Sequence, residues 1–256
     1  MSDLFSLKGK TAVIMGGNST LARAIAEGFA EHGAKIASVV MKMEYAADTE
    51  EQIRRIGGEI KSFVADVTDI PSIQRAADEI EEWTDSIDIL LYAPGVNSST
   101  PFLELEMEEW DKIMAVNLRG LVATNQIFAK KMIKQGTGGS IINISSVSSG
   151  PPLSKVFTYS ASKAGTNNVT QYLARELAPY NIRVNAIIPG FFPAEQNRKI
   201  LSEERIADIM RHTPVKRFGD PNELKGVCIW LASEKASSYV TGSLVRVDGG
   251  FGAMTI

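Results

Sequence analysis

The 256-residue sequence is poor in cysteine and histidine, the residue types that most often build disulfide and metal sites. Its one cysteine, Cys228, excludes an internal disulfide, and the apolar residues around it indicate core packing. The two histidines, His32 and His212, are far apart and lack the spacing of metal ligands, so we expect no metal site. These scarcities argue against a metalloprotein and against a disulfide-stabilised fold.

The sequence also has no large excess of positive or negative charge and no long apolar run. The formal net charge is -3 and the pI is near 5.6, which offers no basic surface for nucleic acid. No apolar run approaches the roughly 18 residues of a membrane span. The first residues lack the basic-then-apolar order of a signal peptide. We therefore expect a cytoplasmic protein whose partner is a small-molecule substrate, not nucleic acid or a membrane.

Short β-rich runs alternate with helical patterns along the whole chain, which indicates a parallel sheet covered by helices. The length and the 44% of apolar residues fit one α/β domain over 1–256. We predict a single-domain Rossmann fold, a doubly wound, parallel, seven-stranded sheet with helices on both faces. The predicted strands are 11–15, 35–40, 60–64, 87–92, 140–145, 182–188 and 244–247. The clearest helical patterns cover 19–32, 72–83 and 159–178, with one long helix or a broken pair over 106–134.

The segment Tyr159-Ser160-Ala161-Ser162-Lys163 is the most informative in the chain, and Ser146 precedes its tyrosine. Tyr159 and Lys163 are four residues apart on a predicted helix, so their side chains share a face. A neighbouring ammonium favours phenolate and brings the tyrosine pKa down from about 10 towards the range of a proton-transfer catalyst. The pattern indicates acid/base chemistry, with Ser146 holding a substrate oxygen. The plain alternative is a solvated helix face.

Further landmarks accompany this segment in a consistent order. They are Gly16-Gly17, Asp66-Val67, Gly95, Asn117, Ser146, Tyr159, Lys163, Pro189-Gly190 and Val247-Asp248-Gly249-Gly250. With them the sequence resembles, over nearly its whole length, the short-chain dehydrogenase/reductases, which interconvert carbonyls and alcohols with a nicotinamide cofactor. The resemblance implies that Tyr159 protonates the carbonyl oxygen and that Ser146 steadies it. It also implies that Lys163 lowers the tyrosine pKa and grips the nicotinamide ribose, and that Asn117 holds a relay water behind the lysine.

The resemblance further implies a set of cofactor contacts. These are Gly16, Asn18, Ser19, Thr20, Leu21, Lys42, Asp66, Val67, Ala93, Gly95, Tyr159, Lys163, Pro189 and Gly190. We expect NADP(H) over NAD(H), because no acid ends the second strand and Lys42 lies near that end. The structural alternatives to these cofactor roles are that Lys42 is only a solvated lysine and that Asp66 only forms a strand-end turn.

The glycine-rich loop departs from the family pattern Thr-Gly-x-x-x-Gly-x-Gly. Thr20 and Ala22 replace the second and third glycines, which normally let backbone N–H groups approach the pyrophosphate. Either the hydroxyl of Ser19 or Thr20 offsets the loss by binding a phosphate, or it only caps the helix.

A second departure follows the fourth strand, where Tyr92-Ala93-Pro94-Gly95 replaces the family's Asn-Asn-Ala-Gly. This segment normally braces the first loop beneath the adenosine ribose. The change indicates either compensated packing, with Tyr92 and Met15 filling the gap, or weakened cofactor binding.

The segment after Pro189-Gly190 is expected to select the substrate, as a lid over about 190–215. Its run over 190–198 resembles that of sugar and sugar-acid members, including mannonate oxidoreductase-like enzymes. An arginine can hold a carboxylate with two hydrogen bonds, so we expect Arg198 and Gln196 to contact an acidic sugar. The structural alternative is a polar helix turn that never touches the ligand.

Two other functions remain open at this point. One is a 3-oxoacyl carrier-protein reductase, whose carrier would meet Lys155, Lys199, Arg205 and Arg211. The other is a non-catalytic family member with weakened cofactor binding. The resemblance also implies a homodimer or homotetramer built on the helices over 106–134 and 159–178.

Overall fold

The structure, a computed structural model, describes residues 4–193 and 202–253. Its strands are β1 Thr11–Met15, β2 Lys35–Val40, β3 Ile60–Val64, β4 Ile89–Tyr92, β5 Gly139–Ile144, β6 Ile182–Pro189 and β7 Leu244–Val247. They form one parallel sheet in the order β3-β2-β1-β4-β5-β6-β7, which confirms the predicted sheet. The strand order reverses between β1 and β4, and doubly wound folds bind ligands at such a point.

Helices cover both faces of this sheet, as predicted. They are α1 Thr20–Glu31, α2 Ala47–Arg55, α3 Ile70–Trp83, α4 Met107–Met114, α5 Gly120–Gln135, α6 Phe157–Leu177, α7 Glu203–His212, α8 Lys225–Ala232 and α9 Glu234–Ser237. Successive strand residues point to opposite faces, so Val13 and Met15 pack with side chains of α3 and α5. Ala12 and Ile14 pack with side chains of α1 and α8. None of the helices within the described ranges is long and apolar enough to cross a bilayer.

One predicted boundary was wrong, and one open alternative was decided. The fourth strand begins at Ile89 and not at residue 87, because the Ile87 N–H donates to the side chain of Gln135 at 3.0 Å. Of the two alternatives for 106–134, the broken pair is confirmed, since α4 and α5 are joined by a wide π turn over Ala115–Arg119. A side chain at the first residue of α5, Gly120, would lie 2.7 Å from a backbone oxygen, so glycine is required there. The break places Asn117, a buried polar residue of the turn, behind the carboxyl edge of the sheet.

Candidate active site

A cleft of about 1050 Å³ opens at the carboxyl edge of the sheet. Its lining comes from the β1–α1 turn, the segments after β4, β5 and β6, and the first turns of α6. It includes the predicted site residues Asn18, Ser19, Thr20, Leu21, Ala93, Gly95, Ser146, Tyr159, Lys163 and Gly190. Residues spread over more than 170 positions of sequence therefore meet in one site.

Besides Asp66, four of the predicted cofactor contacts lie outside the lining of the cleft but within the described residues. Gly16, with φ of 71°, packs under the cleft against Pro94, and Pro189 is the buried last residue of β6. Lys42 and Val67 are not part of the lining. Their cofactor roles stay predictions.

Asp66 also lies outside the lining, and its carboxylate is engaged locally. Its Oδ1 accepts hydrogen bonds from the N–H and the hydroxyl of Thr68, at 2.8 and 2.7 Å. This is the strand-end turn that the sequence left open. Of the predicted substrate contacts, Gln196 and Arg198 lie outside the described residues.

Lys163 lies one helical turn after Tyr159 on α6, as the spacing predicted. Its Nζ is 5.6 Å from the centre of the Tyr159 ring and donates to the backbone oxygen of Ile144 at 2.8 Å. The lysine side chain is buried, and burial lowers the pKa of Lys163 to about 8. The cation is therefore held against the end of β5, at the back of the cleft.

The phenol of Tyr159 faces the cleft. Burial raises the pKa of Tyr159 above its ordinary value, and a hydrogen bond from the Ser146 hydroxyl acts in the opposite direction. Desolvation of the phenol dominates, so the net pKa of Tyr159 is raised, and the lowering contribution expected from Lys163 stays a prediction. A raised pKa keeps the phenol protonated at neutral pH, which suits a proton donor to a carbonyl oxygen.

Asn117 lies in the π turn between α4 and α5 and is fully buried. Its Oδ1 accepts from the Val96 N–H at 2.8 Å, and its Nδ2 donates to the Val96 oxygen and to the Ser162 hydroxyl, at 2.9 and 3.0 Å. Ser162 in turn donates to the backbone oxygen of Tyr159 at 2.7 Å. Both amide hydrogens are used, so the side chain positions the loop after β4 against the catalytic turn of α6. Its predicted water contact stays a prediction.

Asn167 is a site residue that the sequence reasoning missed. Its Oδ1 accepts from the Ser145 hydroxyl at 2.6 Å, and its Nδ2 donates to the Ser149 hydroxyl at 2.8 Å. The two serines flank Ser146 along the chain. Asn167 follows Lys163 by four residues and therefore shares its helix face, a signal that was available in the sequence. It ties the Ser146 segment to the catalytic helix.

We expect Asn167→Leu to lower kcat about tenfold while the Kd for the nicotinamide cofactor stays within about twofold, since one to two lost hydrogen bonds are worth about 1–2 kcal/mol. The reason is that the segment carrying Ser146 loses its hydrogen bonds to Asn167 at Ser145 and Ser149, while Ser146 keeps its hydroxyl. Steady-state kinetics and fluorescence titration measure the two effects. The matched control is Asn168→Leu, because Asn168 is exposed on the same helix. An unchanged kcat in Asn167→Leu would show that these hydrogen bonds do not position Ser146.

The β1–α1 turn decides whether the altered glycine-rich loop fits a cofactor. Ser19 caps α1, because its hydroxyl accepts from the Ala22 N–H at 3.4 Å, which supports the capping role left open above. The N–H groups of Thr20 and Leu21, in the first turn of α1, have no partner within the helix and lie in the cleft wall. A helix N-terminus of this kind fits a pyrophosphate without the second glycine.

The turn is braced from outside by residues that the sequence reasoning missed. A side chain at Gly17 would clash with the hydroxyl of Ser38 on β2 unless that serine moved, so glycine suits this position. Thr49 on α2 donates to the Gly17 oxygen at 3.0 Å. No local sequence pattern predicts either contact, because the partners come from separate elements.

The second departure from the family pattern is filled by packing. Tyr92 is fully buried, its hydroxyl donates to the Val116 oxygen at 2.5 Å, and its ring lies in the same core cluster as Met15. Pro94 contacts Gly16 from the other side. These contacts favour compensated packing over a collapsed cofactor site.

The charged residues that the structure describes in the cleft wall are all cationic. Its charged lining residues are Arg23, Lys155, Lys163 and Arg205, and no carboxylate lines it within the ranges 4–193 and 202–253. The whole chain carries a net charge of -3. The cleft therefore concentrates positive potential on an acidic protein and attracts anionic ligands.

Comparison with known proteins points to one family. A sequence profile described as "Enoyl-(Acyl carrier protein) reductase" matches residues 16–252. The chain is 36% identical over 248 residues to a 2-dehydro-3-deoxy-D-gluconate 5-dehydrogenase of Escherichia coli, covering 96% of this chain and 97% of the relative. It is 34% identical over 244 residues to the 3-oxoacyl-[acyl-carrier-protein] reductase FabG of Thermotoga maritima, covering 95% and 98%.

Solved structures agree with these relatives. A gluconate 5-dehydrogenase from Burkholderia cenocepacia, in complex with NADP and tartrate, superimposes with a TM-score of 0.93 at 33% identity and 99% coverage of both chains. A putative D-mannonate oxidoreductase from Haemophilus influenza with bound NAD gives a TM-score of 0.92 at 30% identity, covering 98% of this chain and 97% of the other. Because both the profile and these relatives extend over nearly its whole length, the chain belongs to the short-chain dehydrogenase/reductase family of nicotinamide-dependent oxidoreductases.

Proposed function

We propose that this protein is an NADP(H)-dependent oxidoreductase that interconverts a ketone and a secondary alcohol on a sugar acid. The observation that carries the proposal is a cleft that joins Ser146 and Tyr159 to a wall with cations but no described carboxylate. Such a wall favours a polar substrate that is itself an anion. The names of the E. coli and B. cenocepacia proteins, which refer to gluconate derivatives, support this class.

The reaction follows from the positions of the chain's own groups. When bound, the nicotinamide cofactor delivers a hydride to the carbonyl carbon or accepts one from the alcohol carbon. In reduction, the Tyr159 phenol gives its proton to the carbonyl oxygen, and the Ser146 hydroxyl hydrogen-bonds the same oxygen. The Thr20 and Leu21 N–H groups would hold the pyrophosphate. The Lys163 ammonium would hold the nicotinamide ribose and stabilise the Tyr159 phenolate until it takes a proton from water. Oxidation reverses each transfer.

The preference for NADP(H) rests on charge at the adenosine end of the cleft. No carboxylate ends β2, where an acid would bind the ribose 2′-hydroxyl of NAD. Lys42 follows that strand and is exposed, and Arg23 lines the cleft. Both cations favour a 2′-phosphate, which would compete with the carboxylates that they meet, Glu44 at 3.8 Å from Lys42 and Asp48 at 3.4 Å from Arg23.

A homo-oligomer in the cytoplasm, either a dimer or a tetramer, is part of the same proposal. Large apolar side chains are exposed on the helices that the resemblance assigns to the subunit interface. Met107 on α4 is 59% exposed, Val122 on α5 43% and Tyr172 on α6 55%. A second copy of the chain would cover them.

The proposed function is tested by binding and then by turnover. Titration with NADPH and NADH, followed by nicotinamide fluorescence, is expected to show saturable binding with NADPH the tighter ligand. Gluconate-type and mannonate-type acids should then give a kcat/KM at least about tenfold above that of neutral polyols of the same chain length, the effect of about 1.4 kcal/mol of charge recognition. Absence of binding for both nucleotides at millimolar concentration would favour the non-catalytic alternative.

One observation favours a second candidate, a 3-oxoacyl thioester reductase. A largely apolar groove of about 860 Å³ adjoins the cleft and shares Ser99, Leu153, Ser154 and Lys155 with its lining. Its other lining residues include Pro101, Phe102 and Phe157, which would suit an aliphatic acyl chain. Turnover of acetoacetyl thioesters in place of sugar acids would select this candidate.

A further inference from the structure

We infer that Arg205 anchors the carboxylate of the substrate and so sets the preference for acids over neutral sugars. This inference rests on the proposed function, since it names the residue that recognises the acidic group. It assigns a binding role to the first turn of α7, separate from the groups that transfer hydride and proton.

The sequence of α7 explains how Arg205 is placed. Ser202 caps the helix, and its hydroxyl accepts from the Arg205 N–H at 3.2 Å. Arg205 and Ile209 are four residues apart, so they share one helix face, and both line the cleft. Ile209 is only 3% exposed, so its packing fixes this face of α7 against the protein. The half-buried arginine is therefore part of the cleft wall.

A side-chain contact orients the guanidinium across the cleft. Arg205 Nη1 donates to the hydroxyl of Ser154 at 3.0 Å. Ser154 belongs to the segment between Ser146 and the catalytic helix, so the bond links α7 to the wall that holds the substrate oxygen. Lys155, the next residue, also lines the cleft and has a φ of 67°, an uncommon conformation for a lysine. Two cations from two separate elements therefore lie at one end of the cleft.

The guanidinium of Arg205 also differs from the other arginines nearby in having no acidic partner within the described ranges. Arg211, on the same helix, pairs with Asp208 at 2.7 Å, and Arg217 pairs with Glu223 at 2.6 Å. The Ser154 bond uses one of the five N–H donors of Arg205, so donors remain for a ligand. A planar guanidinium binds a carboxylate through two parallel hydrogen bonds, which neutral hydroxyls do not match.

The test compares Arg205→Gln with Arg211→Gln, which removes the same charge from the same helix outside the cleft. In Arg205→Gln we expect the KM for the preferred sugar acid to rise about 10- to 100-fold, the usual cost of a charge-assisted hydrogen bond. The KM for the neutral polyol and the Kd for NADPH should change by less than about threefold. Arg211→Gln should match the wild type in all three quantities. A rise confined to Arg198→Ala, with none in Arg205→Gln, would overturn the inference.

A binding measurement separates this inference from the proposed function. Calorimetry with the NADP-loaded protein and tartrate, a small dicarboxylate, reports anchoring without turnover. If the wild type reduces or oxidises no sugar acid but Arg205→Gln still weakens tartrate binding at least tenfold, the anchor stands and the proposed substrate class falls. If sugar acids turn over and Arg205→Gln changes neither their KM nor the tartrate Kd, the anchor is wrong and the function stands.

Discussion

Replacing Tyr159 with phenylalanine is expected to lower kcat about 10³-fold, within the range that a general acid contributes, while NADPH binding stays intact. Phenylalanine keeps the ring and its packing but removes the hydroxyl that hydrogen-bonds with Ser146 in the cleft. The raised pKa of Tyr159 makes the phenol a competent acid at neutral pH, so its loss affects the proton transfer itself. Steady-state kinetics with a sugar acid and nucleotide titration measure the two quantities.

Tyr172→Phe is the matched control for this change. Tyr172 lies on the same helix, is 55% exposed and does not line the cleft. It should retain full activity. A kcat for Tyr159→Phe within tenfold of the wild type would mean that another group protonates the substrate, and the assignment of the acid would be wrong.

Replacing Lys163 with methionine is expected to act in opposite directions on activity and stability. Activity should fall at least about 10²-fold, because the cation that positions the ribose and supports the phenol is lost. Stability at pH 7 should rise by about 1–3 kcal/mol, because methionine keeps most of the side-chain volume and removes a desolvated ammonium. The lysine has one hydrogen bond, to Ile144, to offset that desolvation. Urea unfolding at constant temperature measures the difference.

The gain in stability should depend on pH in a defined direction. The pKa of Lys163 is about 8 in the folded protein, below the value of about 10.4 for an unfolded lysine. Between those values the unfolded chain holds a proton that the folded chain releases, so wild-type stability rises with pH by up to about 3 kcal/mol. Below pH 8 both states are protonated and the full penalty is present. The advantage of Lys163→Met should therefore be largest at pH 7 and nearly gone at pH 10.

Lys112→Met is the control for the loss of charge, since Lys112 is exposed on α4. Its free energy of unfolding should stay within about 0.5 kcal/mol of the wild type at both pH values, as is usual for surface changes. If Lys163→Met instead lowers stability at pH 7, or its difference from the wild type is the same at pH 10, the buried ammonium is not a source of instability.

The parts of this protein that could be predicted from sequence depend on local periodicity. Tyr159 and Lys163 share a helix face because of their spacing alone, and each of the seven strands lies within a few residues of a β-rich run. The turn at Asp66 could also be foreseen from local sequence, because its hydrogen-bond partner Thr68 is only two residues away. Asn167 was within reach of the same spacing argument but was not recognised.

What the sequence by itself determined is therefore the order of the elements, the helix face that carries the acid/base pair, and the family. The tertiary structure decided which distant groups meet. The bond from Arg205 to Ser154 joins positions 51 residues apart, and Thr49 braces the Gly17 turn from 32 residues away. The tertiary structure also decided the direction in which the pKa of Tyr159 and of Lys163 is shifted. The pKa of Tyr159 is raised, whereas the sequence predicted that it is lowered. Desolvation depends on every atom packed around a group, and those atoms come from strands and helices that sequence spacing does not bring together.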